Sequence, residues 1–320
     1  MTMFYFIIQH TMYFLIPLMI VALGGMFSEK SGIVNIALEG KMIIGAFAGI
    51  FFMGAFQIAG PEIPDQLVLV LGLLVGMTAG LLLSILHAYA ANNLKANQII
   101  SGIAINMFAP AFAIFTSKYV TGSQNVFFSN QFRIESIPLL GNIPVLGPMF
   151  FQNTYFTTYL GFAILGISAF VLYKTKFGLR LRACGEHPHA ADSVGVNVVK
   201  IRYAGVLISG ALAGIGGVIF IVPISIVFNG SVNGYGFLAL AVLIFGAWKP
   251  LRILFAALFF SLMQAIASSY TVIPFLANLP IPAPFYRMTP YIATLIVLAF
   301  TSKNTMAPKA VGEPYDKGGR

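Results

Sequence analysis

Charge is what this chain has least of. Asp, Glu, Lys and Arg make up 8% of its 320 residues, against about 25% in an ordinary soluble domain. Hydrophobic residues make up 58%. A water-soluble core could not hide that much apolar surface, so lipid is the main solvent. The single cysteine, Cys184, excludes an internal disulfide framework and a thiolate metal cluster, and four scattered histidines form no ligand set, so no metal site is expected. A nucleophile elbow G-x-S-x-G, a zinc helix H-E-x-x-H and a pair of in-membrane aspartates are also missing. No catalytic residue is expected, and the chain is not read as an enzyme. A cleavable leader is not expected either: the first apolar run, from near Phe4, is long enough to span a bilayer and to be retained.

What the sequence has instead is spanning segments. Apolar runs cover 4–27, 40–58, 67–91, 98–120, 155–173, 201–228, 253–272 and 288–301, with a shorter, glycine-interrupted one at 233–248. A helix crosses a bilayer in about 20 residues, so these give about nine passes of an all-α polytopic membrane protein. The net charge of +9 lies in the short stretches between the runs, as positive-inside topology requires, and not in a nucleic-acid patch. The stretch 174–202 carries Lys174, Lys176, Arg180, Arg182, Lys200 and Arg202 against Glu186 and Asp192, so it is expected in the cytoplasm. Lys30 with Lys41, Lys95, the pair Lys249 and Arg252, and the tail with Lys303, Lys309, Lys317 and Arg320 follow on the same side. The Asn-, Gln-, Ser- and Pro-rich segment 121–152 falls outside, as does the N-terminus by parity.

Residues 24–32, GGMFSEKSG, have Gly24, Lys30 and Ser31 on the spacing of a phosphate-binding loop, but Glu29 replaces its second glycine. A carboxylate there would repel a phosphate, and the stretch follows a spanning helix where a strand is needed, so the spacing is a coincidence. GYGFLA (234–239) meets a dinucleotide pattern with no α/β unit around it. Two stretches break the helical pattern, 24–40 and GALAGIGG at 210–217. Non-helical backbone at membrane depth survives only where protein or a wet cavity surrounds it. The polar 24–40 is read as a path or gate element, and 210–217, with Gly210 and Gly214 four apart, as close helix packing.

Transport is the function left, in two versions. An ion-coupled transporter needs buried titratable groups. Glu39, His10 and His87 qualify by type, with His87 read as a hydrated histidine near the cytoplasmic end of its helix and His10 as a polar group satisfied between helices. A transporter driven by a partner ATPase needs a cytoplasmic handle. The stretch 177–203 suits this, because Leu179, Leu181, Val194, Val196, Val198 and Val199 make its loop more apolar than solvation alone requires.

At these residues a family resemblance enters. AADSVG (190–195) resembles the coupling-loop motif of ATP-binding-cassette importer permeases, in which E-A-A is followed three residues later by glycine; Ala190, Ala191 and Gly195 fit, and His189 stands in place of the Glu. The stretch 178–217 is similar throughout to the branched-chain amino acid, ribose and nucleoside branch. EKSGIVNIALEGKMIIGAF (29–47) resembles the nucleoside and simple-sugar permeases that work with basic-membrane-protein-type binding lipoproteins.

That resemblance implies a type II, vitamin B12-type importer fold in the plasma membrane of a bacterium, with a permease domain over 1–302 and a cytoplasmic tail over 303–320. It implies a second homologous permease, ATPase subunits that alone bind ATP and Mg, and an extracellular binding lipoprotein. No cofactor is expected in this chain. Purine nucleosides are the first substrate class and simple sugars such as ribose the second. The ATPase contact is expected at Arg182, Gly185, Glu186, His189, Ala190, Ala191 and Gly195. Asn35, Glu39, Asn97, Gln98, Ser101 and Asn106 supply polar groups suited to line the substrate path.

Overall fold

With no water in the hydrocarbon layer, each backbone N–H and C=O must find a partner within the chain, and helices do this segment by segment. In the computed structural model, which describes residues 2–60, 63–279, 281–301 and 306–317, the apolar runs become α1 (Thr2–Lys30), α2 (Leu38–Ala59), α3 (Asp65–Asn92), α4 (Gln98–Thr121), α5 (Phe156–Lys174), α8 (Val198–Ile224) and α10 (Pro250–Ser268). These seven are long and apolar enough to cross a membrane. The chain is therefore a multi-pass membrane protein. The remaining two runs fall on α9 (Tyr235–Phe245), a helix of 11 residues, and α12 (Ala283–Thr301). Short helices α6 (Lys176–Glu186), α7 (Pro188–Ser193) and α11 (Pro274–Ala277) lie between the longer ones.

The centre of the bundle is α8, packed between α1, α2 and α3. The stretch 210–217 lies within this unbroken helix, as the packing reading expects. A Cβ at Gly214 would strike the Gly76 carbonyl on α3, and one at Gly217 the Met42 carbonyl on α2. Glycine is needed there because backbone meets backbone. By contrast α4 leans on α2 through Gly102, Ile105, Ala109 and Ala113, and leaves Phe108, Phe112, Phe115 and Tyr119 exposed.

One end of the bundle gathers the basic connections. The other holds 121–155, which adds small ladders to the helical fold: β1 (Val126–Phe127) pairs antiparallel with β4 (Val227–Phe228), and β2 (Arg133–Ser136) with β3 (Gln152–Tyr155). At the basic end, 306–317 folds back under the bundle, with Gly312 N–H bonded to the Gly32 carbonyl at 3.1 Å and Ala310 N–H to the Gly185 carbonyl at 2.9 Å. Lys303 and Arg320, placed with that tail from the sequence, lie outside the described residues.

Several local expectations need correction. Gly24 to Lys30 of the loop-like GGMFSEKSG continue α1 as helix, and the non-helical break is confined to residues 31–37. His87 is fully buried where a hydrated surface residue was expected. Lys41, read from the sequence as a marker of the cytoplasmic side, has no exposed surface at all.

Candidate functional site

A break inside a membrane bundle leaves backbone groups that the helix no longer serves. Residues 31–37 meet this demand with side chains from α4 and α3. On α4, Gln98 Oε1 accepts the Val34 N–H at 2.7 Å. Asn106, about two turns further on, grips both sides of the break: its Nδ2 donates to the Ile36 carbonyl at 2.9 Å, and its Oδ1 accepts the Gly40 N–H at 2.8 Å. From α3, His87 Nε2 lies 3.0 Å from the Val34 carbonyl and Nδ1 lies 3.0 Å from Ser101 Oγ. A carbonyl only accepts, so Nε2 carries a hydrogen, and in the neutral ring Nδ1 accepts from the Ser101 hydroxyl.

Deeper in, Asn35 Nδ2 donates to Ser209 Oγ on α8, and its Oδ1 accepts from Lys41 Nζ at 2.8 Å. Glu39 and Lys41 do not pair. The carboxylate instead turns to the start of α9, accepting the Gly234 N–H at 2.9 Å and the Gly236 N–H at 2.6 Å. Gly234 has φ +77, and a Cβ at Gly236 would strike the Glu39 backbone, so both glycines have a local reason. The half-helix α9 thus begins inside the bundle with its unsatisfied N–H groups facing a carboxylate. Its far end is fixed by the Trp248 indole N–H, which donates to Glu29 Oε2 at 2.6 Å.

Of the expected path residues, Asn35, Glu39, Gln98, Ser101 and Asn106 therefore meet around one break, with the described hydrogen bonds serving its backbone or its neighbours. Asn97 stands apart, exposed, capping α4 through the Ile99 and Ile100 N–H groups. The sequence did not single out Ser209, Trp248 or the pair Gly234 and Gly236. The signal for the glycines was present in GYG but required knowing that a helix starts there. His10 Nδ1 donates to the Phe6 carbonyl, 3.1 Å away within its own helix.

Along α4 the shell lies between two cavities. One, of about 300 Å³, opens at the basic end beside Val34, Asn97, Gln98 and Gly312. The other, of about 650 Å³, opens at the opposite end beside Phe51, Ile58, Val120, Asn125 and Phe127 and is almost wholly apolar.

The expected coupling residues form an elbow at the basic end. Thr175 caps α6 by accepting the Gly178 N–H at 3.1 Å, and Gly178 lies so near α5 that a Cβ would strike the Val171 carbonyl. Gly185 rests on the end of α1, where a Cβ would meet the Lys30 carbonyl. Gly185 and Ala191 are buried, Arg182 and Glu186 half-buried, and His189, Ala190 and Gly195 exposed. Of the apolar residues flagged here, Leu181 and Val198 are buried, whereas Leu179 and Val194 stay 62% and 78% exposed. Cys184 is buried in the elbow, and burial pushes its thiol up to about 11. A cavity of about 470 Å³ separates Glu186, His187 and His189 from Lys309 and Glu313.

Comparison with known proteins matches nearly the whole length of this chain. The chain is 45% identical over 317 residues to the guanosine ABC transporter permease protein NupQ of Bacillus subtilis, covering 98% of this chain and 97% of that protein. It is 40% identical over 316 residues to the nucleoside ABC transporter permease protein NupC of Lactococcus lactis, covering 97% and 96%. The putative glucose ABC transporter permease protein TsgC13 of Haloferax volcanii is 30% identical over 325 residues, covering 94% of each. Residues 7–299 match the permease component of the branched-chain amino acid transport system, and the chain belongs to that family.

Proposed function

We propose that this chain is the permease subunit of an ATP-driven importer of purine nucleosides. The observation that carries the reading is its likeness, over nearly the whole length, to permeases named for guanosine and nucleoside transport. The α6–α7 elbow gives that reading a mechanical part. It presents His189, Ala190 and Gly195 with exposed Leu179 and Val194 at the basic end, and so offers apolar and polar surface together outside the lipid. Arg182, Gly185, Glu186, His189, Ala190, Ala191 and Gly195 form the ATPase contact. ATP and Mg bind to the ATPase and not to this chain.

The basic end, with the tail beyond residue 302, is cytoplasmic, and 121–152 is extracellular, where a binding lipoprotein delivers substrate. α9 and α12 complete a nine-pass permease of the type II importer fold within 1–302, in a bacterial cell membrane, and a second homologous permease stands opposite. Substrate moves along the α2–α4 side from the apolar outer cavity to the inner one. The shell of Asn35, Glu39, Gln98, Ser101 and Asn106 holds the break between them, and Asn97 stands at the inner mouth. A ligand shifts such an equilibrium only through unequal affinity for its states. ATP closure acts through the elbow, and the loaded binding protein acts through 121–152.

The test is radiolabelled guanosine uptake into membranes that carry the chain with its ATPase, second permease and binding protein. Uptake should stop when ATP hydrolysis is blocked and persist when ion gradients are collapsed. Uptake by the chain alone, abolished by an ionophore, would overturn the reading in favour of ion coupling at Glu39.

A further inference from the structure

The segment 306–317 touches the elbow, the break, the connection between α3 and α4, and the start of α8. Ala310 N–H bonds to Gly185 of the elbow, and the Tyr315 ring lies 5.3 Å from that of His189 on α7. Gly312 N–H bonds to Gly32, the second residue of the break. Asp316 pairs with Lys95, between α3 and α4, at 2.7 Å. Arg202, at the start of α8, is 1% exposed; its Nη1 donates to the Glu313 carbonyl at 3.0 Å, and its guanidinium sits 5.8 Å from the Tyr315 ring centre. A guanidinium taken out of water needs partners, and both of these belong to the tail. Ala310 and Tyr315 are themselves buried. This is a packed element, not a loose end.

We propose that residues 306–317 are a coupling strap that joins the ATPase-driven elbow to the 31–37 break. A push on α6–α7 passes from Gly185 to Ala310, along two residues to Gly312, and into Gly32, beside the shell that closes the path. Arg202, Glu313 and Tyr315 hold the strap against α8 while this happens, so they are positioning residues for transport. The inference rests on the importer reading above, but its signature is mechanical and does not depend on the substrate.

Two measurements test it in the complete transporter, with ATPase, second permease and binding protein in lipid nanodiscs. Spin labels at exposed His187 and Lys309, in a Cys184→Ala background, report the distance between elbow and strap. That distance should stay fixed between nucleotide-free and ATP-trapped states, and a distance that changes with nucleotide overturns the strap whatever the cargo is. Gly312→Val, at φ +86 and against Val34, should retain ATP hydrolysis but raise the ATP used per guanosine imported at least tenfold. Arg202→Ala should do likewise, with partial rescue in Arg202→Lys. An unchanged ratio in assembled Gly312→Val and Arg202→Ala complexes overturns the proposal. Failure of the wild-type complex to import guanosine would strike the nucleoside reading alone, since the distance measurement still judges the strap.

Discussion

Glu39 on α2 and Gly236 on α9 are joined by a 2.6 Å hydrogen bond across 197 positions of sequence. The other carboxylate oxygen takes Gly234, so one acid both closes the 31–40 region and starts the half-helix. Carboxylates suit helix N-termini because they accept N–H groups and oppose the dipole. Here, away from water, the same arrangement fixes two discontinuities to each other.

Glu39→Gln tests that arrangement. The amide keeps the shape, but one of its ends is a donor where the backbone presents another donor. An unsatisfied buried N–H costs about 1–3 kcal/mol, so the variant is expected to melt earlier in detergent and to import at a reduced rate. Wild-type melting and uptake would show that the two N–H groups find other partners.

Asn35 and Lys41 should respond unequally. Replacing Asn35 by Leu removes the acceptor of a fully buried ammonium, and hydrogen bonds to charged groups contribute about 1.5–3 kcal/mol. Replacing Lys41 by Met removes the charge itself, which lightens its own desolvation cost. Asn35→Leu is therefore expected to destabilise the protein more than Lys41→Met, as read by thermal unfolding monitored by tryptophan fluorescence. The reverse order would mean that Lys41 does not depend on Asn35.

Cys184 gives a pH signature outside the membrane. Its thiol is raised to about 11, because burial disfavours the thiolate. A raised acid pKa stabilises the fold fully below the unfolded value, about 8.5, and that contribution is lost as pH climbs through the folded value. Wild type should lose stability relative to Cys184→Ser between about pH 8.5 and 11. At pH 7.5 the thiol should also react slowly with maleimide while the elbow is packed, and faster in denaturant. Rapid labelling of the native protein would mean that the elbow opens readily.

At Gly195 the physical demand is conformational rather than steric. It has φ +84 and no neighbour within 4 Å of a built Cβ. Gly195→Arg should therefore cost only about 1–2 kcal/mol of backbone strain while placing bulk on the proposed ATPase contact. The expected outcome is normal membrane assembly, ATPase activity no longer stimulated by substrate, and loss of uptake. Normal ATP-driven uptake would move the contact elsewhere on the elbow.

The sequence exposed the helices because composition and run length carry that information locally. It exposed the break because polar residues such as Asn35 and Glu39 are conspicuous in an apolar chain. It placed His87 wrongly because nearness to a helix end says nothing about which neighbour covers it, and Val34 and Ser101 lie on other elements. Lys41 misled for the same reason: a lysine beside an apolar run reads as a topology marker until Asn35 is seen to hold it. The docking of 306–317 was beyond reach, since its bonds to Gly32 and Gly185 are backbone to backbone and carry no side-chain signature.

The glycine seam was legible as a spacing, and it yields a paired test. At Gly214 an added side chain meets the Gly76 carbonyl on one side and Gly80 on the other, both backbone of a packed helix with nowhere to yield. Gly166, in the middle of α5, has nothing within 4 Å. Gly214→Val should force α3 and α8 apart, and with them the anchors His87 and Ser209 on either side of the break, so no folded protein is expected in the membrane fraction. Gly166→Ala should be neutral or stabilising by about 0.5–1 kcal/mol, because alanine forms helix more readily than glycine. Gel-filtration profiles of the two variants in mild detergent decide the matter. If Gly214→Val elutes as wild type does, α3 and α8 are not in backbone contact, and the scaffold that holds the break must be drawn differently.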